Sequence, residues 1–405
     1  MKKISKFNQQ SLYYLIIAFA FLMPLYKISS SPFLILFAVI IILSIFSKTS
    51  FYATLFKKKI NIAYFVFFGL SLISLLYSFN ETKGITELKN LLPLIIFPLL
   101  FQLVSFSKKQ FYSILKAFLF GCFFAFIISI SYQVYLMIIG ANYSFHYLKL
   151  VEVLWMHPTY LSLYLNFAIV MSFYLFIKNE LNLYLMMFSI AIFSVFIILL
   201  SARMQIIIFA FVFLLLSVYV LINNFSKRIL AMFLLSFIAL AITFSNYKTL
   251  NNRFTYIKNL KYDIHSEKST SWNGANVRLA IWNTSKSLIK DNKFIGVGIG
   301  DADDELMNEY KKQGFKFAYK LKYVAHNQYI QTTISIGFVG LIAYLSILTI
   351  LLSDSIRSKN FLVFSLFFIL FFTGLTESFL RMQSGIVFFS FMIILVLNNS
   401  KYIKN

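Results

Sequence analysis

The chain has 405 residues, 60% of them hydrophobic and 13% charged, with a formal net charge of +23. Soluble domains carry about 45–50% apolar residues, so this composition excludes a soluble fold and implies an all-α polytopic membrane protein. Outside one long loop the basic residues mostly sit in short segments between apolar runs. That is the pattern set by the positive-inside rule and anionic headgroups, and it excludes nucleic acid as the partner of the charge.

In chain order, stretches able to cross a hydrocarbon core of about 30 Å fall at 11–28, 33–47, 61–79, 90–106, 112–139, 158–177, 182–200, 204–222, 228–246, 326–352, 360–376 and 384–399, which predicts about 12 transmembrane helices. No small-residue cleavage site follows the first, which reads as an uncleaved helix. The single cysteine, Cys122, lies inside the fifth and can form neither an internal disulfide nor a thiolate metal cluster. Leu185 to Ile222 is apolar except around "SARMQ". As one helix it would run about 57 Å, at roughly 1.5 Å per residue. The chain must therefore turn back, and Ser201-Ala202-Arg203 is the most polar place to do so.

With the amino terminus taken as cytoplasmic, the inside segments hold 17 basic residues, the short outside loops six, and one long loop the other 14 of the 37. Long loops are largely exempt from the rule. The bias predicts both termini cytoplasmic and the long loop outside. Three regions result: 1–246 with spans one to nine, the extracytoplasmic loop 247–325, and 326–405 with spans ten to twelve and a short tail. Inside the loop, "NVRLAIWNTSKSLIKDN" predicts an amphipathic helix. Val277, Ile281, Thr284 and Leu288 share its apolar face, and Asn292 with Gly296 can end it.

This topology collects the unusual polar residues at one face: His157, Arg203, Arg278, His326, Glu377 and Arg381. Singly, each has an ordinary role. His157 precedes Pro158 and can open span six. Arg203 can snorkel to the interface, Arg278 can be a solvated charge, and Glu377 and Arg381, four apart, can pair locally if helical. Together they suggest an outward-facing polar site. Guanidinium groups bind phosphate or carboxylate bidentately. His326, followed by Asn327, opens span ten. Helical periodicity predicts Ile330, Thr333, Gly337 and Gly340 on its face, with the two glycines admitting a neighbouring helix. The histidine is then either a structural donor or a general base.

Two other stretches resemble ligand motifs. "GVGIGD", 296–301, departs from GxGxxG at Asp301 and reads as turn glycines. "DADDE", 301–305, offers Asp301 and Asp303 as a weak Mg²⁺ possibility; acidic runs in loops are usually solvated, and the expectation is that no metal is required.

"HNQYIQTTISIGFVG", "SARMQ", "RLAIWNTSKSLIKDNKFIGVGIGD", "TESFLRMQSGIVFF" and "HPTYLSLYL" together resemble the O-antigen ligase and O-antigen polymerase family of bacterial envelope glycan enzymes, over roughly residues 155–395. The resemblance implies a multi-pass protein of the bacterial inner membrane with its active site facing the periplasm. It implies a donor glycan on undecaprenyl diphosphate, transferred to an acceptor hydroxyl on lipid A–core (ligase, slightly preferred) or on another glycan (polymerase). Carried over by residue, Arg203 and Arg278 bind the diphosphate, and His326 activates or orients the acceptor. His157, Asn327, Glu377 and Arg381 support the site or the acceptor side. The competing reading is a lipid-linked oligosaccharide flippase, disfavoured because no internal repeat is found.

Overall fold

A computed structural model describes residues 2–25, 30–45, 55–56, 58–223, 263–266 and 272–403. The predicted ninth span, 228–246, and loop residues 247–262 and 267–271 lie outside the described residues. Among the described residues all regular structure is helical. The first half comprises α1 (Lys2–Leu22), α2 (Ser30–Ile45), α3 (Lys59–Leu75), α4 (Glu81–Leu91), α5 (Pro93–Leu103), α6 (Lys108–Ile138), α7 (Tyr147–Leu150), α8 (Pro158–Ile177), α9 (Leu183–Leu200) and α10 (Arg203–Ile222). After the undescribed stretch come α11 (Asn276–Asp291), α12 (Ala302–Lys312), α13 (Lys316–Lys320), α14 (Gln328–Ser358), α15 (Phe361–Gly374), α16 (Gln383–Asn398) and α17 (Ser400–Ile403).

Among the described residues, six helical segments are long and apolar enough to cross a membrane, and five shorter apolar helices accompany them. Each overlaps a predicted span. α8 is the axis of the bundle. It is buried continuously from Pro158 to Leu175 and packs on α6, α9, α10 and α15. A helix that is apolar on every side needs lipid or such enclosure around it. α16 is enclosed in the same way from Ser384 to Val396 and rests on α5. Asn166 of α8 donates to the Gln205 backbone and side chain at 3.0 and 3.1 Å, and Gln205 donates to Thr373 at 2.9 Å. These buried amides have few alternatives in an apolar interior, so they fix α8, α10 and α15 in one register.

The predicted topology sorts the polar contacts by end. Lys58 with Asn398, Lys116 with Glu180 and Tyr402 with the Phe106 carbonyl join residues assigned to the inner side. Lys149–Glu152, Arg278–Glu377 and Arg381–Glu87 join residues assigned to the outer side.

Three departures from the sequence reading bear on the site. First, residues 80–89, taken as an outer loop, fall mostly within α4. Asn80 caps it by accepting from the Lys83 N–H at 3.1 Å, and Pro93, which lacks an N–H, starts α5 as a separate helix. Second, the continuous helical face expected below His326 does not exist. His326 stands outside α14 with φ 45°, and Asn327 is the N-cap. α14 breaks at Gly337 (φ 69°, ψ −168°), so Gly337 is not a helix–helix packing glycine. Gly340 faces Ile336 across the break rather than a neighbouring helix.

Third, the loop 293–298 occupies that break. Val297 N–H donates to the Ile334 carbonyl at 2.9 Å and Gly298 N–H to Ser335 at 3.0 Å, while Phe338 N–H donates to the Lys293 carbonyl at 2.8 Å. The break frees backbone groups that would be costly to leave unpaired in an apolar setting, and the loop satisfies them. Gly296 and Gly298 adopt φ 72° and 100°, so "GVGIGD" is a docking loop whose glycines permit close backbone approach. Asp301 seals it by accepting from the Phe79 and Asn80 N–H groups, each at 2.7 Å.

Beyond this loop, α11 to α13 build a second apolar core from Val277, Ile281, Leu288, Leu306, Tyr310 and Phe315, closed by Ile334 of α14. The amphipathic helix forms where predicted, with Val277, Ile281, Thr284 and Leu288 buried and Asn292 as its C-cap.

Candidate functional site

A cavity of about 550 Å³ opens between the second core and the ends of the bundle helices. His157, Arg203, Arg278, His326, Glu377 and Arg381 all line it. Six residues scattered over more than 200 positions thus line one cavity.

Each side chain is positioned by a local device. The turn before α10 forms at the predicted place. Ser201 closes α9 in a left-handed conformation (φ 50°), and Arg203 is the first residue of α10. Arg278 projects from the first turn of α11. A Cβ at Gly274 would stand 3.3 Å from Arg203 Nη1 and 3.9 Å from Arg278 Nη1. The two guanidinium groups therefore flank one glycine, and any side chain there would crowd them. His157 caps α8, its Nδ1 accepting from the Thr159 N–H at 3.3 Å. Burial lowers its pKa, Glu377 partly offsets that, and the nearby His326 and Arg278 lower it further. The ring is neutral near pH 7 with its proton on Nε2.

His326 is set by contacts on both sides. Trp282 Nε1, one turn after Arg278, donates to the Ala325 carbonyl at 3.0 Å. Asn327 accepts from the Ile330 N–H at 3.0 Å as an N-cap, while its Nδ2 donates to the Leu375 carbonyl at 3.0 Å. Its backbone N–H donates to Ser378 Oγ at 3.2 Å, and Gln328 Oε1 accepts from the Leu380 N–H at 2.9 Å. "HNQ" thus ties the segment 375–380 against the start of α14, which brings Glu377 opposite His326. Glu377 Oε2 lies 3.8 Å from His326 Nδ1, and Oε1 accepts from Arg278 Nη2 at 2.9 Å. Burial pushes the Glu377 carboxyl up. The His326 imidazole and the Arg278 guanidinium outweigh that and hold it below the ordinary carboxylate range.

The local Glu377–Arg381 pair considered from sequence does not form. The segment between them is not an α-helix: residues 379–381 are a single 3-10 turn. Arg381 instead donates to Asp303 through Nη1 and Nη2, both at 2.7 Å, and to Glu87 at 2.6 Å. Lys83 adds contacts to Asp303 at 3.4 Å and Asp304 at 3.1 Å. Burial raises the Asp303 carboxyl, but Arg381 and Lys83 overcome that and lower it. The two aspartates weighed as Mg²⁺ ligands therefore face different partners, Asp301 backbone amides and Asp303 two cations. Among the described residues no group of three or more His, Cys, Asp or Glu side chains is arranged to hold a metal.

Glu87 was missed by sequence reasoning. Lys83 and Glu87 are four apart, with Gly84, Leu88 and Leu91 on the buried face of α4; that amphipathic spacing was the signal available. Tyr147, Tyr160 and Tyr323 also line the cavity. They were hidden among 25 tyrosines in the chain, so their residue type carried no signal.

No curated protein matches the chain. Residues 188–345 match the family model described as O-antigen ligase. The matched stretch contains Arg203, Arg278 and His326 and ends before Glu377 and Arg381. Two arginines and a histidine meeting in one cavity of a multi-pass helical bundle agree with that match, so this stretch of the chain is similar to the O-antigen ligase family.

Proposed function

We propose that the protein transfers a glycan from undecaprenyl diphosphate to an acceptor hydroxyl, with lipid A–core preferred as acceptor over a growing glycan. It does so from the bacterial inner membrane, with both termini cytoplasmic and the cavity open to the periplasm. The observation that carries this reading is the convergence of Arg203, Arg278 and the His326–Glu377 pair on one cavity.

The chemistry follows from these groups. The acceptor oxygen attacks the anomeric carbon, and the bond from that carbon to the diphosphate oxygen breaks. The diphosphate leaves with the electron pair and gains negative charge. Arg203 and Arg278, beside the uncapped start of α10, supply fixed positive charge where it develops. The acceptor proton passes to His326, and Glu377 stabilises the imidazolium that results. His157, neutral and exposed to the cavity, and Arg381 shape the acceptor side. The arginines supply the charge compensation that a divalent ion provides in many phosphate-leaving reactions, so the proposal includes no metal. Transfer by the purified protein should be unchanged by EDTA, and a chelator-dependent loss restored by Mg²⁺ would contradict it.

Deleting the gene separates the alternatives. Loss of a ligase leaves long polymer on the lipid carrier, whereas loss of a polymerase leaves single repeats on lipid A–core. Undecaprenyl-linked units stranded on the cytoplasmic side would support the flippase instead. His326→Ala and Arg203→Ala should each abolish transfer, by at least about a hundredfold, while the protein still inserts. Normal glycan display in both variants would defeat the assignment.

A further inference from the structure

A second depression adjoins the reaction cavity and shares His157, Tyr160 and Met382 with it. Its volume is about 490 Å³, and Trp155, Leu148 and the Lys149–Glu152 pair complete its wall. Three observations bear on what it holds. Trp155 is 67% exposed and lies two residues before His157. Its backbone is left-handed, φ 52° and ψ 26°, at the end of a single 3-10 turn (Glu152–Leu154). That conformation is costly for a bulky residue. The depression also carries an ion pair, Lys149 Nζ to Glu152 Oε1 at 2.8 Å.

We propose that this depression is a sugar-binding subsite, in which the Trp155 indole stacks on the apolar face of a pyranose ring while Lys149 and Glu152 bond its hydroxyls. The proposal rests on the transferase reading above and adds a substrate contact to it. An aromatic face beside a charged donor and a charged acceptor matches a ring that is apolar on its faces and polar at its edges. A lipid chain fits less well, because an ion pair exposed in the wall would lose hydration against hydrocarbon without compensation. Continuity with the cavity at His157 sets the bound ring next to the reacting centre. Both substrates of the transfer are glycans, so the ring belongs either to the acceptor or to the sugars of the donor.

The test uses the full chain in nanodiscs, as wild type, Trp155→Ala and Trp155→Phe. One measurement is saturation-transfer NMR with the free oligosaccharide released by mild acid from the cell's own envelope glycan. Wild type should bind it, Trp155→Ala should not, and Trp155→Phe should retain most of the signal. Equal binding by wild type and Trp155→Ala, or no binding by wild type, overturns the subsite. The other measurement is steady-state transfer with each substrate varied. Trp155→Ala should raise one KM at least fivefold with kcat within twofold, and Trp155→Phe should restore it. A raised acceptor KM assigns the ring to the acceptor, and a raised donor KM that persists with a short-chain lipid diphosphate assigns it to the donor sugars. A donor KM that responds only to lipid chain length shows a lipid groove and overturns the proposal. If wild type transfers no glycan at all, the transferase reading fails, and the NMR arm still decides whether the depression binds sugar.

Discussion

At His326 the ring is held by its neighbours rather than by its own hydrogen bonds. Its backbone is left-handed, the Ala325 carbonyl before it is tied to Trp282, and Asn327 after it caps α14. Glu377 then supplies the charge facing the ring. Because its folded pKa lies below the ordinary 4.5, the carboxylate contributes stability that is complete above that value and is lost as pH falls through the lower one. Glu377→Gln should therefore lower the thermal midpoint by a constant amount from pH 7 down to about 5, with the difference closing only below about 4.5. Thermal unfolding of both proteins across that range checks it, and a difference already closed near pH 5.5 would contradict the assignment. The histidine and arginines were legible from sequence because ionisable residues stand out against apolar runs. Their partners were not. Helical spacing suggested Arg381 for Glu377, but the chain between them is not α-helical, and the true partners are 51 and 99 positions away.

Among the elements, α14 departs most from its sequence pattern. Apolar periodicity finds the helix, but not the break at Gly337, because the partner that replaces the missing helical bonds is a loop about 40 residues upstream. The same loop contains the glycines that resembled a nucleotide motif. Gly337→Ala tests this coupling. The new Cβ would meet the Phe294 carbonyl, and φ 69° with ψ −168° is unfavourable for alanine by about 1–3 kcal/mol before any clash. The expected result is undocking of the 293–298 loop, seen as faster proteolysis near Lys293 and a lower thermal midpoint. Gly340→Ala should also lower the thermal midpoint, because its Cβ would meet the Ile336 Cβ, whose place is fixed by the backbone, but it adds no left-handed strain.

For the whole molecule, the places of the apolar helices among the described residues were readable because a bilayer permits few arrangements. How deep the site lies was not readable, since it depends on where helices stop. The prediction ran span eleven to residue 376, but α15 ends at Gly374 after 14 residues, and α16 has 16. At about 1.5 Å per residue they measure roughly 21 and 24 Å, less than the roughly 30 Å of an average hydrocarbon core. The turn carrying Glu377 and Arg381 joins these two short helices, so the bilayer around it must thin or the turn must sit below the lipid headgroups. The reaction then becomes sensitive to the thickness of the surrounding lipid. Nanodiscs of shorter-chain lipids should support faster transfer than those of longer-chain lipids of the same headgroup, and a rate independent of chain length would show that the turn is insulated by protein. A membrane that changes its acyl chains with growth temperature would, through these two helices, also retune how fast its surface is coated.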